Sequence, residues 1–429
     1  MKLVADRHVL VITYYWPPSG GPGVQRPLKF VKYLYRLGWK VTVLTVLNGE
    51  YPVLDKHLAE EIPEGVRVVT APAISYFQIY KRIMGQKGKG IDTFVLNNKK
   101  MGMLGRIARW IRMNLFIPDA RIGWVKSAIS AGRNIIQEDT PDIIFSTSPP
   151  HSLQLIARTL AEESGIPWVA DFRDPWTKAF WDAGIKRSHW ANMKNLALEQ
   201  GVLQKANKII GVSKGVLRLL QAPESKSIVL PNGYDDLDFK NCFEDSPNSK
   251  FTIVYAGFMA YTQNPINFFK ALSRLPPEYQ SQLVVEMYGK QDAVVHDTVN
   301  RLSLAPMIQW KGYVPHSEVV KVICKADMLL LVLPKEHGEG ILTGKLFEYL
   351  ATGNFILGIG ASSGEAAAII NSCKAGIMID HDSDPLDILL RQLQNWRKGK
   401  KHASDALEIQ KYSRKALAKQ LSQILDACI

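Results

Sequence analysis

The 429-residue chain has no run of about 18 consecutive apolar residues, so no membrane-crossing helix is expected. Its first residues, Met1 to His8, hold no apolar leader-type stretch and run straight into a strand-like segment. The four cysteines, Cys242, Cys324, Cys373 and Cys428, show no C-x-x-C spacing. They read as reduced thiols of a cytosolic protein, which argues against a disulfide framework or a zinc site. The glycine-rich loop near the N-terminus is not G-x-G-x-x-G, which disfavours a dinucleotide-dependent dehydrogenase. It also lacks the G-K-[ST] ending of a phosphate-binding Walker loop. No strand-like segment ends in an acidic motif of the metal-binding kind, so neither metal nor cofactor is expected. Short-period repeats and low-complexity tracts are missing too.

Acidic residues are scarce in one place. Between Lys81 and Arg112 the chain carries nine basic residues and a single acid, Asp92. The whole chain has a net charge of +13, so this segment holds far more than its share. Such an excess calls for an anionic partner: membrane headgroups, a phosphorylated lipid or nucleic acid. Within it, Met103, Leu104, Ile107, Ile111 and Leu115 recur at helical spacing, with Lys99, Arg106 and Arg109 largely on other faces. Trp110 and Phe116 suit a headgroup boundary. The pattern over about 81–117 fits an interfacial amphipathic helix. The plainer reading is a core helix with a solvated basic face. Nucleic acid is disfavoured, because no recognised nucleic-acid motif accompanies the charge.

What the chain does contain is a strand–helix alternation, run twice. Apolar segments at 8–13, 40–46, 66–70, 142–147, 168–171, 208–212 and 227–230 alternate with helical patterns, the first around 27–36. A polar stretch from Pro231 to Lys250 reads as a linker. The alternation restarts with strands at 251–256, 282–288, 307–311, 328–333, 355–359 and 376–379, and closes on an amphipathic helix over 412–425. This predicts an α/β protein with two doubly wound parallel-sheet domains, 1–230 and 251–410, and ligands at the carboxyl ends of the strands in a cleft.

The most informative motif is Thr343-Gly-Lys-Leu-Phe-Glu-Tyr-Leu-Ala-Thr-Gly353. It follows the strand Ala326–Pro334 and a short glycine-bearing loop, so a buried strand turns into a helix. A helix start offers unpaired N–H groups and partial positive charge to a phosphate. Lys345 adds a full charge, and Glu348 could accept two hydroxyl hydrogens at once, as a ribose diol would offer. The plainer reading is a surface helix with an ordinary Lys and Glu. After the first strand comes Tyr14-Tyr-Trp-Pro-Pro-Ser-Gly-Gly-Pro-Gly23, a tight loop that either brings N–H groups to a ligand or only stiffens the connection. His151, in Ser148-Pro-Pro-His151, falls at a strand end where α/β sheets display functional side chains. Asp171, Arg173 and Asp174 follow another strand. They bind a hydroxylated acceptor or order one another.

Taken together, these pieces make the chain resemble the retaining glycosyltransferases of family 4, which have the GT-B fold. The elements are Tyr15–Gly21 with the following helix and Leu37–Val43, Pro149-Pro-His151, Pro231-Asn-Gly-Tyr234, Tyr255-Ala-Gly257, Gly312-Tyr-Val-Pro315 and Gly344–Gly353. The resemblance implies two Rossmann-like domains facing across a cleft, with a final helix (411–429) crossing back to the first. It implies transfer of a hexosyl or N-acetylhexosaminyl group from a UDP- or GDP-type nucleotide sugar, with retention. Glu348 would then take the ribose hydroxyls. Tyr313 and Val314 would lie beside the base, and Lys345, Gly257 and the Gly20–Gly21 loop around the diphosphate. Thr343 and Gly344 open the phosphate-binding helix, and His151 would lie by the donor sugar and acceptor. The chain departs from the family in two ways. Gly340 stands where members often have a second glutamate, with Glu339 one place off. The stretch Gly257–Pro265 has no basic residue where many members carry Arg and Lys, which leaves the phosphate charge to Lys345, with Arg26 or Lys335 in support. With the basic segment, the reading predicts a polyprenyl-diphosphate-linked acceptor in surface polysaccharide or glycan assembly. The enzyme would sit peripherally on the inner face of the plasma membrane. The alternatives are an epimerase or phosphorylase of the same fold, or a membrane-docked assembly partner without turnover.

Overall fold

The computed structural model describes residues 7–51, 53–74, 110–179, 187–240 and 248–429. The chain divides into two compact units: Met1–Leu230 with Ala418–Ile429, and Pro231–Leu417. Each is a parallel sheet wrapped by helices.

The first unit holds seven strands: β1 (His8–Ile12), β2 (Lys40–Leu47), β3 (Arg67–Pro72), β4 (Ile143–Ser148), β5 (Trp168–Phe172), β6 (Lys208–Gly211) and β7 (Ser227–Val229). They pair in the order β3-β2-β1-β4-β5-β6-β7, all parallel. Every residue of β1, β4 and β5 is buried, which is why these segments read as unbroken runs without polar alternation. Helices Pro22–Arg36, Val125–Glu138, Ser152–Ser164 and His189–Lys205 serve as crossovers or cover the faces. The end of the chain also belongs to this unit. Trp39 Nε1 donates to Ser422 Oγ at 2.8 Å, and Arg7 pairs with Asp426 at 2.6 Å.

The second unit has six strands: β8 (Phe251–Ala256), β9 (Leu283–Tyr288), β10 (Ile308–Gly312), β11 (Met328–Val332), β12 (Phe355–Ile359) and β13 (Gly376–Ile379). Their order is β10-β9-β8-β11-β12-β13, again all parallel. Two apolar clusters fill its faces. One packs Leu329, Leu331, Leu346, Phe347 and Tyr349 together, and the other gathers Phe251, Phe268, Met328 and Leu357.

Both orders reverse once, between β1 and β4 in the first unit and between β8 and β11 in the second. At such a point adjacent loops diverge to opposite sides of the sheet and leave a crevice at the carboxyl ends of the strands. The strand order therefore brings together the loops after β1 and β4, and those after β8 and β11.

The expectation of reduced thiols fails at one position. Cys324 is disulfide-bonded. Cys373 and Cys428 are free, and Cys242 lies outside the described residues. Spacing between cysteines says nothing about contacts made through the fold, so this bond was not legible.

Candidate active site

In the second unit the site is built on the helix Gly344–Thr352. Thr343 precedes it in extended conformation, and no side chain caps its first turn. The Thr343 hydroxyl is buried and has no hydrogen-bond partner. Buried polar atoms are seldom left in that state, and an uncapped helix start beside one suits an anionic oxygen. Tyr349, one turn further, is fully buried, and its hydroxyl accepts the Ala256 N–H at 2.9 Å. That bond ties the helix to the end of β8.

Lys345 reaches across the same gap. Its Nζ donates to Tyr255 Oη at 2.8 Å and, at 3.4 Å, to the Phe258 carbonyl. Gly257 makes this path possible. Its φ is +121°, and a Cβ there would lie 2.6 Å from Lys345 Cε. Burial pulls the Lys345 amine down to about 8, against the opposing pull of the Glu348 carboxylate. Its Nζ lies 4.4 Å from the centre of the Tyr255 ring, and burial there leaves the ammonium poorly solvated.

Glu348 is not alone. Its Oε1 lies 3.0 Å from Nε2 of His316, the first residue of the helix His316–Lys325. The carboxylate holds the imidazole above its ordinary pKa. Sequence reading missed His316 because its partner is 32 positions away. The one available signal was its place directly after the Gly312–Pro315 motif. In that motif, Gly312 takes φ +66° and its carbonyl accepts the Gly289 N–H. Tyr313 is 80% exposed, while Val314 packs on the core. Glu339 is exposed on the turn Gly338–Gly340, with its carbonyl 3.0 Å from where a Gly364 Cβ would stand. Lys335 pairs at the surface with Asp382 at 2.9 Å, so it is not free for phosphate.

In the first unit, His151 lies at the end of the loop after β4, just ahead of the helix Ser152–Ser164. Its ring stacks on Trp176 with centroids 5.0 Å apart and planes within 5°, and it also faces Phe172 at 6.1 Å. Burial drives its pKa down to about 3, so the ring is neutral across the working range. Its Nδ1 is buried without a hydrogen-bond partner. A neutral imidazole that donates through one nitrogen presents a lone pair on the other. The neutral ring can thus offer one lone pair to a hydroxyl, and a group that stays neutral down to about pH 3 is a poor acid near neutrality. Asp119 fixes the local backbone by accepting from the Ser152 N–H at 2.8 Å and its hydroxyl at 2.9 Å.

The acidic–basic cluster separates into distinct roles. Asp171 is fully buried and pairs two-pronged with Arg26, at 2.7 and 3.0 Å, while also accepting from Thr147 at 2.6 Å. Arg26 donates further to the Leu230 carbonyl at 2.8 Å. Both carboxylate oxygens of Asp171 and the guanidinium of Arg26 are thus engaged within the protein, an arrangement that orders the loops around them. Arg173 likewise bonds the carbonyls of Ser148, Pro149 and Gly23, locking the loops after β1 and β4 to each other. Asp174 is half-buried, and burial lifts its carboxyl above the usual range against the nearby Arg173.

The Gly20–Gly21 loop behaves differently from the expectation. The Gly20 N–H donates to the Val53 carbonyl at 2.8 Å, and Asp55 N–H returns to Pro18 at 2.9 Å. Gly20 is buried against this segment, and its N–H is not available to a phosphate. Gly21, with φ +80°, is exposed at the start of the helix Pro22–Arg36.

Of the basic segment, residues up to Arg109 lie outside the described residues. At its end, Trp110 and Leu115 are each 56% exposed. Among the described residues no helix is long and apolar enough to cross a membrane, and no group of three or more His, Cys, Asp or Glu gathers that could hold a metal ion.

Residues 26–236 match the model of Glycosyltransferase Family 4. No curated protein matches the chain by sequence. Solved structures are similar over its length. A glycosyltransferase from Rickettsia africae has 14% identity and a TM-score of 0.61, covering 99% of this chain and 98% of that one. Anabaena HepE, solved in complex with UDP, has 14% identity and a TM-score of 0.61 over 98% of this chain and 100% of its own. WaaG, a glycosyltransferase involved in lipopolysaccharide biosynthesis, has 13% identity and a TM-score of 0.54 over 98% and 99%. Residues 26–236 are thus similar to glycosyltransferase family 4, and the fold of the chain is GT-B.

Proposed function

We propose that the protein is a retaining glycosyltransferase that moves a sugar from a nucleoside diphosphate to a lipid-linked glycan acceptor. The observation that carries the nucleotide part is the grouping of Lys345, Glu348 and the buried Thr343 hydroxyl at one uncapped helix start, on the switch point of the second sheet. The anomeric C–O bond to the diphosphate breaks, and charge grows on the leaving oxygens. Lys345 and the helix N–H groups oppose that charge. The acceptor hydroxyl forms its bond on the same face, and its proton passes to a leaving phosphate oxygen. His151 accepts a hydrogen bond, not the proton, from a hydroxyl of the sugar or acceptor at its unpartnered Nδ1. The UDP bound to Anabaena HepE supports UDP as the first nucleotide to test. A panel of UDP-, GDP- and dTDP-sugars, read by thermal shift and by release of nucleoside diphosphate, tests the reading. One donor should stabilise the protein and turn over with acceptor. Stabilisation without turnover would favour an assembly partner, and no stabilisation by any donor would refute a nucleotide-sugar enzyme.

His151→Ala is expected to lower turnover by roughly 2- to 12-fold, the worth of one neutral hydrogen bond, while nucleotide affinity stays near normal. His151→Phe keeps the stack on Trp176 but removes the lone pair, so it should be as slow as the alanine variant. A phenylalanine variant with the wild-type rate would mean that the ring only packs.

The lipid-linked acceptor and peripheral attachment to the cytoplasmic leaflet rest on the charge of 81–112 and the exposed Trp110 and Leu115 beside it. Each Lys or Arg near an anionic surface contributes roughly 1 kcal/mol. Wild-type protein should float with vesicles containing anionic lipid, and less so at high salt. With Arg106, Arg109 and Arg112 changed to Glu it should stay behind. Equal flotation of both proteins would remove the membrane claim and leave the transferase reading standing.

A further inference from the structure

The pairing of Glu348 with His316 has no counterpart in the motif that drew attention to the site. Glu348 sits on the second turn of the helix Gly344–Thr352, and His316 opens the helix His316–Lys325, which packs beside it. The two side chains meet at 3.0 Å, Nε2 to Oε1, and both reach solvent, with the histidine 48% and the glutamate 24% exposed. Asp238 and Arg414 also act on the imidazole, while Lys345 lies one turn from Glu348 on the other side. A carboxylate partner selects the tautomer that carries hydrogen on Nε2, so the histidine donates whether neutral or charged.

We propose that His316 is a positioning residue for the nucleotide: it fixes the Glu348 carboxylate through Oε1, so that Oε2 and the remaining lone pair of Oε1 meet the ribose hydroxyls. A glutamate side chain has three rotatable bonds, and freezing them when a ligand arrives opposes binding. Holding the carboxylate in place beforehand removes that cost. For one rotamer-rich side chain the effect corresponds to roughly a 2- to 12-fold change in affinity. His316 makes this contact with Glu348 and acts on the sugar through it. The inference rests on the nucleotide site proposed above.

The test is calorimetric titration of UDP and GDP, continued with whichever binds tighter and with its 2′-deoxy form. His316→Ala should raise Kd by about 2- to 12-fold and leave kcat at saturating donor little changed. His316→Gln, whose amide can donate near the position of Nε2, should recover most of the loss. His316→Asn, too short to reach Oε1, should not. The penalty should shrink with the 2′-deoxy nucleotide, which keeps only the 3′-hydroxyl contact, and vanish in a Glu348→Ala background, where the carboxylate itself is gone. Melting curves of each variant separate these effects from misfolding. Wild-type affinity in both His316→Ala and His316→Asn, alongside weakened Glu348→Ala, would overturn the inference alone. So would an equal penalty for the 2′-deoxy nucleotide. Wild-type affinity in Glu348→Ala would overturn the nucleotide site itself.

Discussion

Lys345→Ala is expected to cut turnover by about 10²–10³-fold, the range seen when a preorganised group facing developing charge is lost. Gly257–Pro265 supplies no basic side chain, Arg26 is bound to Asp171, and Lys335 to Asp382. Of these basic side chains Lys345 alone stays at the helix start, and in the proposed reaction the charge it opposes grows as the glycosidic bond breaks. Nucleotide affinity should fall less than kcat, because the leaving diphosphate carries more charge in the transition state than in the bound donor. The pH dependence has a definite sign. Burial lowers this amine to about 8, so it is charged below that pH and neutral above it. Donor binding and rate should decline as pH rises past about 8. In Lys345→Arg, which stays charged, the decline should disappear even though the rate is lower. Initial rates of nucleoside diphosphate release across pH 6.5–9.5 check both statements. An alanine variant within about threefold of wild type would exclude Lys345 from the chemistry.

The second large effect concerns stability. Asp171 is fully buried, and Arg26 is 6% exposed. Removing either partner leaves a charge without its counterion in the interior, at a cost of about 3–5 kcal/mol. Arg26→Ala and Asp171→Ala should each lower the urea midpoint of the first unit sharply, followed by tryptophan fluorescence. Replacing both with apolar residues of similar volume should recover most of the loss. If each single variant costs below about 1 kcal/mol, the pair does not order the loops after β1 and β4.

Strands such as Met328–Val332 and Ile143–Ser148 were legible because burial on both faces leaves an unbroken apolar run. The helix start at Thr343–Gly344 was legible because small residues, a lysine and a glutamate follow such a strand within one turn. Strand order was not, since nothing local tells β4 to pair with β1 or β11 with β8. The partners of charged residues were hidden for the same reason. Arg26 was a candidate for phosphate until its contact 145 positions away was seen. Gly20 looked like a phosphate-facing glycine, but its N–H closes a turn onto Val53. The place of His151 at a strand end was legible too. The burial that keeps its ring neutral depends on the stack with Trp176, whose approach only the fold reveals.

The account stands most directly on the nucleotide site at Glu348. Titrating UDP and GDP into wild-type protein and into Glu348→Ala of unchanged melting temperature tests it. A hydrogen bond to a charged acceptor is worth roughly 1.5–3 kcal/mol, which corresponds to about a 10- to 150-fold rise in Kd for the nucleotide that binds. A smaller loss in the same direction should appear in wild type when the ribose 2′-hydroxyl is removed, because the 3′-hydroxyl contact remains. Undiminished affinity of folded Glu348→Ala for both nucleotides would contradict the assignment.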